Sequence, residues 1–193
     1  MDAEKGFQVS DILYRVMVPC IVALLIIVFP AYLGPALDFT LRSIFVEGLA
    51  EAILIVAVPI LLGLLWNQWA GGASGFLLGS IYALYRCTTY IYYGLSSYLN
   101  DIAILGYIVS GMLTGYVAGA LNKGSTNFRK MLTCGIVSGI IGGVFLFWTQ
   151  LMSPLKMVSL EGWWIVFLPR IIYGIIMPII AKVFTWYNVT PRR

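Results

Sequence analysis

The sequence predicts an all-α membrane protein, a six-transmembrane-helix bundle with both termini cytoplasmic, and three observations predict it. Of 193 residues, 61% are hydrophobic and only 10% charged. Apolar runs approach the ~20 residues that a helix needs to cross a hydrocarbon core. Lys and Arg gather on alternate connections, as the positive-inside rule requires. The runs are much longer than the ~10 residues of a barrel strand and lack its alternation, so helices that close their own backbone hydrogen bonds are the expected spanning form.

The first span covers roughly 11–33. Asp2 and Glu4 spoil a basic leader and Pro30 to Pro35 offers no small-residue cleavage site, so this run reads as a helix and not a signal peptide. Further spans follow at 46–66, 71–95, 100–121, 130–152 and 160–187, joined by short linkers, which makes 1–193 a single integral membrane domain. With Lys5 and Arg15 on the cytoplasmic side, Lys123, Arg129, Lys130, Arg192 and Arg193 fall there too. The opposite connections keep Arg42 and Lys156. The net charge of +4 is thus mostly topology, with no basic cluster dense enough for nucleic acid.

Cys20, Cys87 and Cys134 all lie in apolar runs and the chain has no histidine, which gives no support to a disulfide framework or a Cys/His metal site. No cofactor is expected. Glycine recurs every fourth residue in three spans: Gly75 and Gly79, then Gly111, Gly115 and Gly119, then Gly135, Gly139 and Gly143. Such stripes let helix backbones approach closely where lipid offers no hydrophobic drive. They either hold this bundle together or dock a separate membrane subunit.

The stretch "YALYRCTTYIYYGL", Tyr82 to Leu95, places Arg86 among five tyrosines past the middle of the third span. Tyr82, Tyr85, Arg86, Thr89 and Tyr93 share one helical face. A charge at that depth costs several kcal/mol unless paired or wetted, so Arg86 marks a candidate site. Three readings stay open: an ion pair with Glu51 or Asp101 that fixes helix register, an outward-facing aromatic pocket for a small ligand, or a side chain snorkelling to the surface. Trp163 and Trp164 read as interfacial anchors or as ligand wall. Arg170 follows Pro169, whose missing N–H loosens the local ladder, so its guanidinium can reach a freed carbonyl or a ligand anion.

Enzyme chemistry finds no footing. "GASG", Gly72 to Gly75, spells the nucleophile motif of rhomboid proteases, yet those need a histidine base and this chain has none. Glu47 and Glu51 are the only carboxylates one helical turn apart, too few for a metal-dependent lipid transferase, and a Walker A loop is missing.

Several segments together resemble the substrate-binding S-component of energy-coupling factor (ECF) transporters. They are "WAGGASGFLLGSIYAL" (Trp69 to Leu84), "GYIVSGMLTGYVAGALNKGS" (Gly106 to Ser125), the glycine-rich fifth span and "LPRIIYGIIMPI" (Leu168 to Ile179). The resemblance covers about the last two thirds of the chain. It implies a non-catalytic vitamin-binding subunit in the cell membrane that captures its ligand from outside. A transmembrane T-component and paired ATPases then drive release inward. Arg86, Tyr82, Tyr85 and Tyr93 would contact the vitamin-like ligand, with Glu51, Asp101, Arg170 and Trp164 as further contacts. The first helix, "VMVPCIVALLIIVF", lacks the clean alanine repeat with which family members commonly dock the T-component. The alternative is a non-catalytic structural or assembly subunit of a larger membrane complex. Arg86→Ala is expected to weaken ligand binding much more than folding; equal loss in binding and thermal-melt assays favours the ion pair.

Overall fold

Pro59 shapes the start of the described chain. Its ring nitrogen has no hydrogen to give to the carbonyl one turn back, and its ring crowds that carbonyl. The turn before it widens into a π-helix, Ile53–Ala57, and regular geometry resumes as α1, Val58–Leu65. The computed structural model describes residues 51–92, 94, 101–155 and 159–187. The predicted first span, the start of the second, Tyr93 and Lys156 lie outside the described residues.

Each later helix has a local cause for its ends. The Asn67 side chain accepts from Ala70 N–H at 2.8 Å and opens α2, Gln68–Tyr92. Asp101 caps α3, Ile102–Asn122, by accepting from Ala103 N–H at 2.8 Å. The helix stops where Lys123 and Gly124 turn left-handed at φ 47° and 68°. Asn127 caps α4, Phe128–Met152, through Arg129 N–H at 3.1 Å. A short 3₁₀ turn, Leu160–Gly162, leads into α5, Trp163–Trp186. The described residues are all helical or irregular, without strands.

Three helical stretches are long and apolar enough to cross a membrane: Ile102–Asn122, Phe128–Met152 and Leu160–Trp186. The 25-residue α2 is long enough too, but its tyrosines, threonines, serines and Arg86 make it more polar. Exposed side chains on α4 and α5 are mainly large and apolar, among them Val137, Ile141, Val144, Ile165, Leu168, Ile172 and Ile179. Buried positions include Ser74, Ser110, Thr114, Asn122, Ser138 and Thr149. Polar groups inside and hydrocarbon outside is the distribution that suits a lipid solvent.

Successive helices run antiparallel. In the bundle α3 packs against α2 and α4, α4 against α5, and α1 crosses α2, α3 and α5. Glycine sets these distances. A methyl group on Gly75 would strike the backbone of Gly111, and one on Gly115 would strike the Gly71 carbonyl. On Gly79 it would lie 2.8 Å from the Tyr107 carbonyl, and Gly119 abuts the backbone of Asn67 and Gln68. Across α4 and α5, Gly135 faces Gly174. All eight glycines of the predicted stripes are buried and pack within this chain.

Small hydroxyls complete the packing. Ser110 donates to the Gly142 carbonyl at 2.7 Å, joining α3 to α4. Asn122 donates to the Leu64 carbonyl at 3.1 Å and ties the end of α3 to the end of α1. Lys123, Arg129, Lys130 and Lys182 collect at that same end of the bundle, where Lys182 donates to Thr126 O at 2.8 Å. Asp101 and Glu161 lie at the opposite end.

Gly115→Ala is expected to destabilise the chain by about 1–3 kcal/mol, because backbone and Pro59 must move apart. Gly72→Ala should be close to neutral, since its added carbon meets only ordinary contacts from 3.4 Å outward. Thermal unfolding of the two variants in one detergent checks the difference.

Candidate functional site

A long cation needs room inside a helix bundle, and two glycines provide it. Gly139 and Gly143 leave a furrow on α4 into which Arg170 of α5 settles. A carbon added to Gly143 would lie 3.1 Å from Arg170 Cδ, and one on Gly139 would lie 2.9 Å from the Arg170 carbonyl. Arg170 is 1% exposed, the largest fully buried side chain among the described residues. Its Nη1 turns back one helical turn and donates to Val166 O at 2.8 Å.

The charge is met from another helix. Arg170 Nη2 lies 3.4 Å from Glu51 Oε1, in a pair whose side chains are 2% and 15% exposed. Tyr82 Oη of α2 donates to Glu51 Oε2 at 3.2 Å. The Tyr82 ring meets Tyr107 of α3 edge-on, with centroids 5.2 Å apart. The Gln150 amide of α4 donates to Tyr107 Oη at 3.3 Å. One line of polar and aromatic contacts therefore runs from α5 through Glu51, α2 and α3 to α4, and Gly143 closes it back onto Arg170.

Two atoms in this line are buried without a hydrogen-bond partner among the described residues: Arg170 Nε and Gln150 Oε1. Desolvating a guanidinium costs several kcal/mol, and its attraction to a carboxylate offsets that only with good geometry and its other donors satisfied. A 3.4 Å contact and a bare Nε fall short of that condition. The arrangement leaves a buried guanidinium with donor capacity unused among the described residues.

The remaining predicted residues are placed differently. Arg86 is half-buried and donates to Tyr90 Oη at 2.8 Å, with its guanidinium 5.1 Å from that ring, so this contact stays on its own helix. Glu51 pairs with Arg170 instead. Asp101 accepts from Ser153 Oγ at 2.6 Å as well as capping α3, which joins α3 to the end of α4. Tyr85 lies beside Tyr82, with ring centroids 6.4 Å apart. Trp163 and Trp164 are each 54% exposed on α5, with the Trp163 ring 6.2 Å from that of Phe167. Tyr93 lies outside the described residues. Among the described residues no three His, Cys, Asp or Glu side chains come together as a metal site, and Cys87 and Cys134 are buried thiols.

Tyr107, Gln150 and the Val166 carbonyl are parts of the site that the sequence reading did not single out. Gln150 offered the one usable signal, an amide inside an apolar run.

Arg170→Met is expected to destabilise by about 3 kcal/mol, because the partly buried Glu51 is left without its countercharge. Adding Glu51→Gln should recover most of that loss, and a double-mutant cycle on unfolding free energy measures the coupling. No protein-family model, curated protein or solved structure matches this chain.

Proposed function

We propose that this chain is a solute-binding membrane subunit of the S-component kind, serving an ECF-type importer. It crosses the cell membrane six times, with both termini cytoplasmic. It takes a vitamin or similar small metabolite from the outer side. A T-component and ATPase subunits supply the energy, and the chain itself does no chemistry.

The observation that carries this reading is the buried Arg170 guanidinium, which among the described residues has no partner for Nε and one long ion-pair contact. A cation retained only for stability is ordinarily fully hydrogen-bonded, since replacing such a pair by apolar groups is often neutral or stabilising. Ligand sites in membrane proteins combine a few charged groups with aromatic walls. Here Tyr82, Tyr107 and Phe167 supply walls, and Tyr85 and Arg86 stand one turn nearer the end of α2.

Topology supports the direction of capture. Lys123, Arg129, Lys130 and Lys182 mark the cytoplasmic end by the positive-inside rule, and Glu51 enters the bundle from the other end. Trp163 and Trp164 then sit at the outer interface, where amphipathic rings are favoured. The rival reading, an assembly subunit, drew on glycine stripes as docking faces. Those stripes are buried against helices of this same chain, so that reading has lost its motivating feature.

Small molecules released on denaturing the gently purified protein provide the test. One compound, near stoichiometric in the wild type and lost in Arg170→Gln, is the expected result by mass spectrometry. An empty chain that brings down an integral membrane partner would favour the assembly subunit.

A further inference from the structure

The contacts of Arg170 are unevenly spread around its plane. Nη1, on the Cδ side, donates to Val166 O at 2.8 Å. Nε and Nη2 share the other edge, and two parallel donors there fit the two oxygens of a carboxylate. That edge carries only the 3.4 Å contact from Nη2 to Glu51 Oε1, while Nε is buried with no partner among the described residues. A charge-assisted N–H to O contact is ordinarily about 2.7–2.9 Å. Glu51 does not complete the fork because its second oxygen holds the Tyr82 hydroxyl at 3.2 Å. The carboxylate is divided between two partners and meets neither closely.

We propose that the Nε–Nη2 edge of Arg170 receives the carboxylate of a small organic acid, and that Glu51 holds that edge until the acid displaces it. This rests on the solute-binding reading and adds the chemical class of the ligand. Glu51 itself shows that a carboxylate reaches the guanidinium here. The Glu51 side is also the accessible one, at 15% exposure against 2% for Arg170. After displacement Glu51 keeps the Tyr82 hydroxyl, so it is not stripped of every partner. A monoanionic acid fits better than a phosphate, because Arg170 is the sole buried basic side chain among the described residues, Glu51 stays close by, and every further negative charge adds repulsion. Phe167, 3.1 Å from the position of an added Gly143 carbon, and the Tyr82 and Tyr107 rings suit a flat apolar body beside the acid group.

Thermal unfolding of the full chain in detergent, titrated with benzoate and separately with its neutral match benzamide, tests the proposal. Benzoate is expected to raise Tm saturably and benzamide to leave it unchanged. In Glu51→Gln, which keeps an acceptor for Tyr82 but removes the competing charge, half-maximal response should come at benzoate concentrations lower by on the order of tenfold. Arg170→Lys, with charge but no fork, should lose the saturable response. Equal responses to both compounds, no response to either, or a weaker benzoate response in Glu51→Gln overturns the proposal. If that variant does not fold, the wild-type comparison decides alone. A retained metabolite with no acid group would overturn the ligand class while leaving solute binding in place. A chain that retains nothing yet separates benzoate from benzamide would keep the acid site and count against tight capture.

Discussion

Backbone packed directly on backbone, Gly75 on Gly111 and Gly71 on Gly115, is the contact on which the rest of this structure depends. In water, helices associate because their apolar faces leave the solvent. In lipid that drive is missing, and what remains is dispersion and hydrogen bonding at short range. Close approach is therefore a condition of folding here. It also explains why so many interior positions are Gly, Ser or Thr while Leu, Ile and Val crowd the outside. Ser110 reaches the Gly142 carbonyl at 2.7 Å only because no side chain on α4 keeps the two helices apart.

The same economy of volume makes the charged site possible. Gly139 and Gly143 are part of the α4 stripe, yet their service is to accommodate the stem and backbone of Arg170 as well as to bring helices together. Once the guanidinium is inside, electrostatics constrains its neighbours. A carboxylate has to come within reach, and Glu51 does so from the residue pair just ahead of the π-turn. Tyr82 then orients that carboxylate, and Tyr107 and Gln150 extend the polar line to the far helix. Packing and charge are consequently coupled: the furrow that admits Arg170 fixes which residues must answer it.

Much of the helix layout was legible, and the reason is solvent. Lengths of apolar sequence predicted 71–95, 100–121, 130–152 and 160–187; the helices run Gln68–Tyr92, Ile102–Asn122, Phe128–Met152 and Trp163–Trp186. Glycine spacing announced close packing but could not name partners, because a stripe looks alike whether its neighbour is the same chain or another. The site was only half legible. Arg86 and Arg170 are both lone cations in apolar runs, and sequence spacing does not separate them. The structure shows what spacing does not: Arg170 faces inward over glycine and meets Glu51, far off in the chain. Tyr107 and Gln150 enter through cross-helix contacts, which no single-helix pattern encodes.

A carrier must bind its solute tightly in one state and release it in another, so the two states must make unequal contacts with it. On the proposed solute-binding reading, an internal carboxylate on the cation would supply such inequality. With Glu51 drawn close, Arg170 is occupied and an incoming acid must compete. Were Glu51 withdrawn toward Tyr82, the fork would be open and the proposed acid would gain both donors. Glu51 sits two residues ahead of the π-helix Ile53–Ala57, and that turn joins it to α1. A π-turn is a less regular support than an α-helical turn, with its backbone bonds shifted by one residue. The glycine-packed helices thus hold the cation, and its carboxylate partner comes from the residues just ahead of the π-turn.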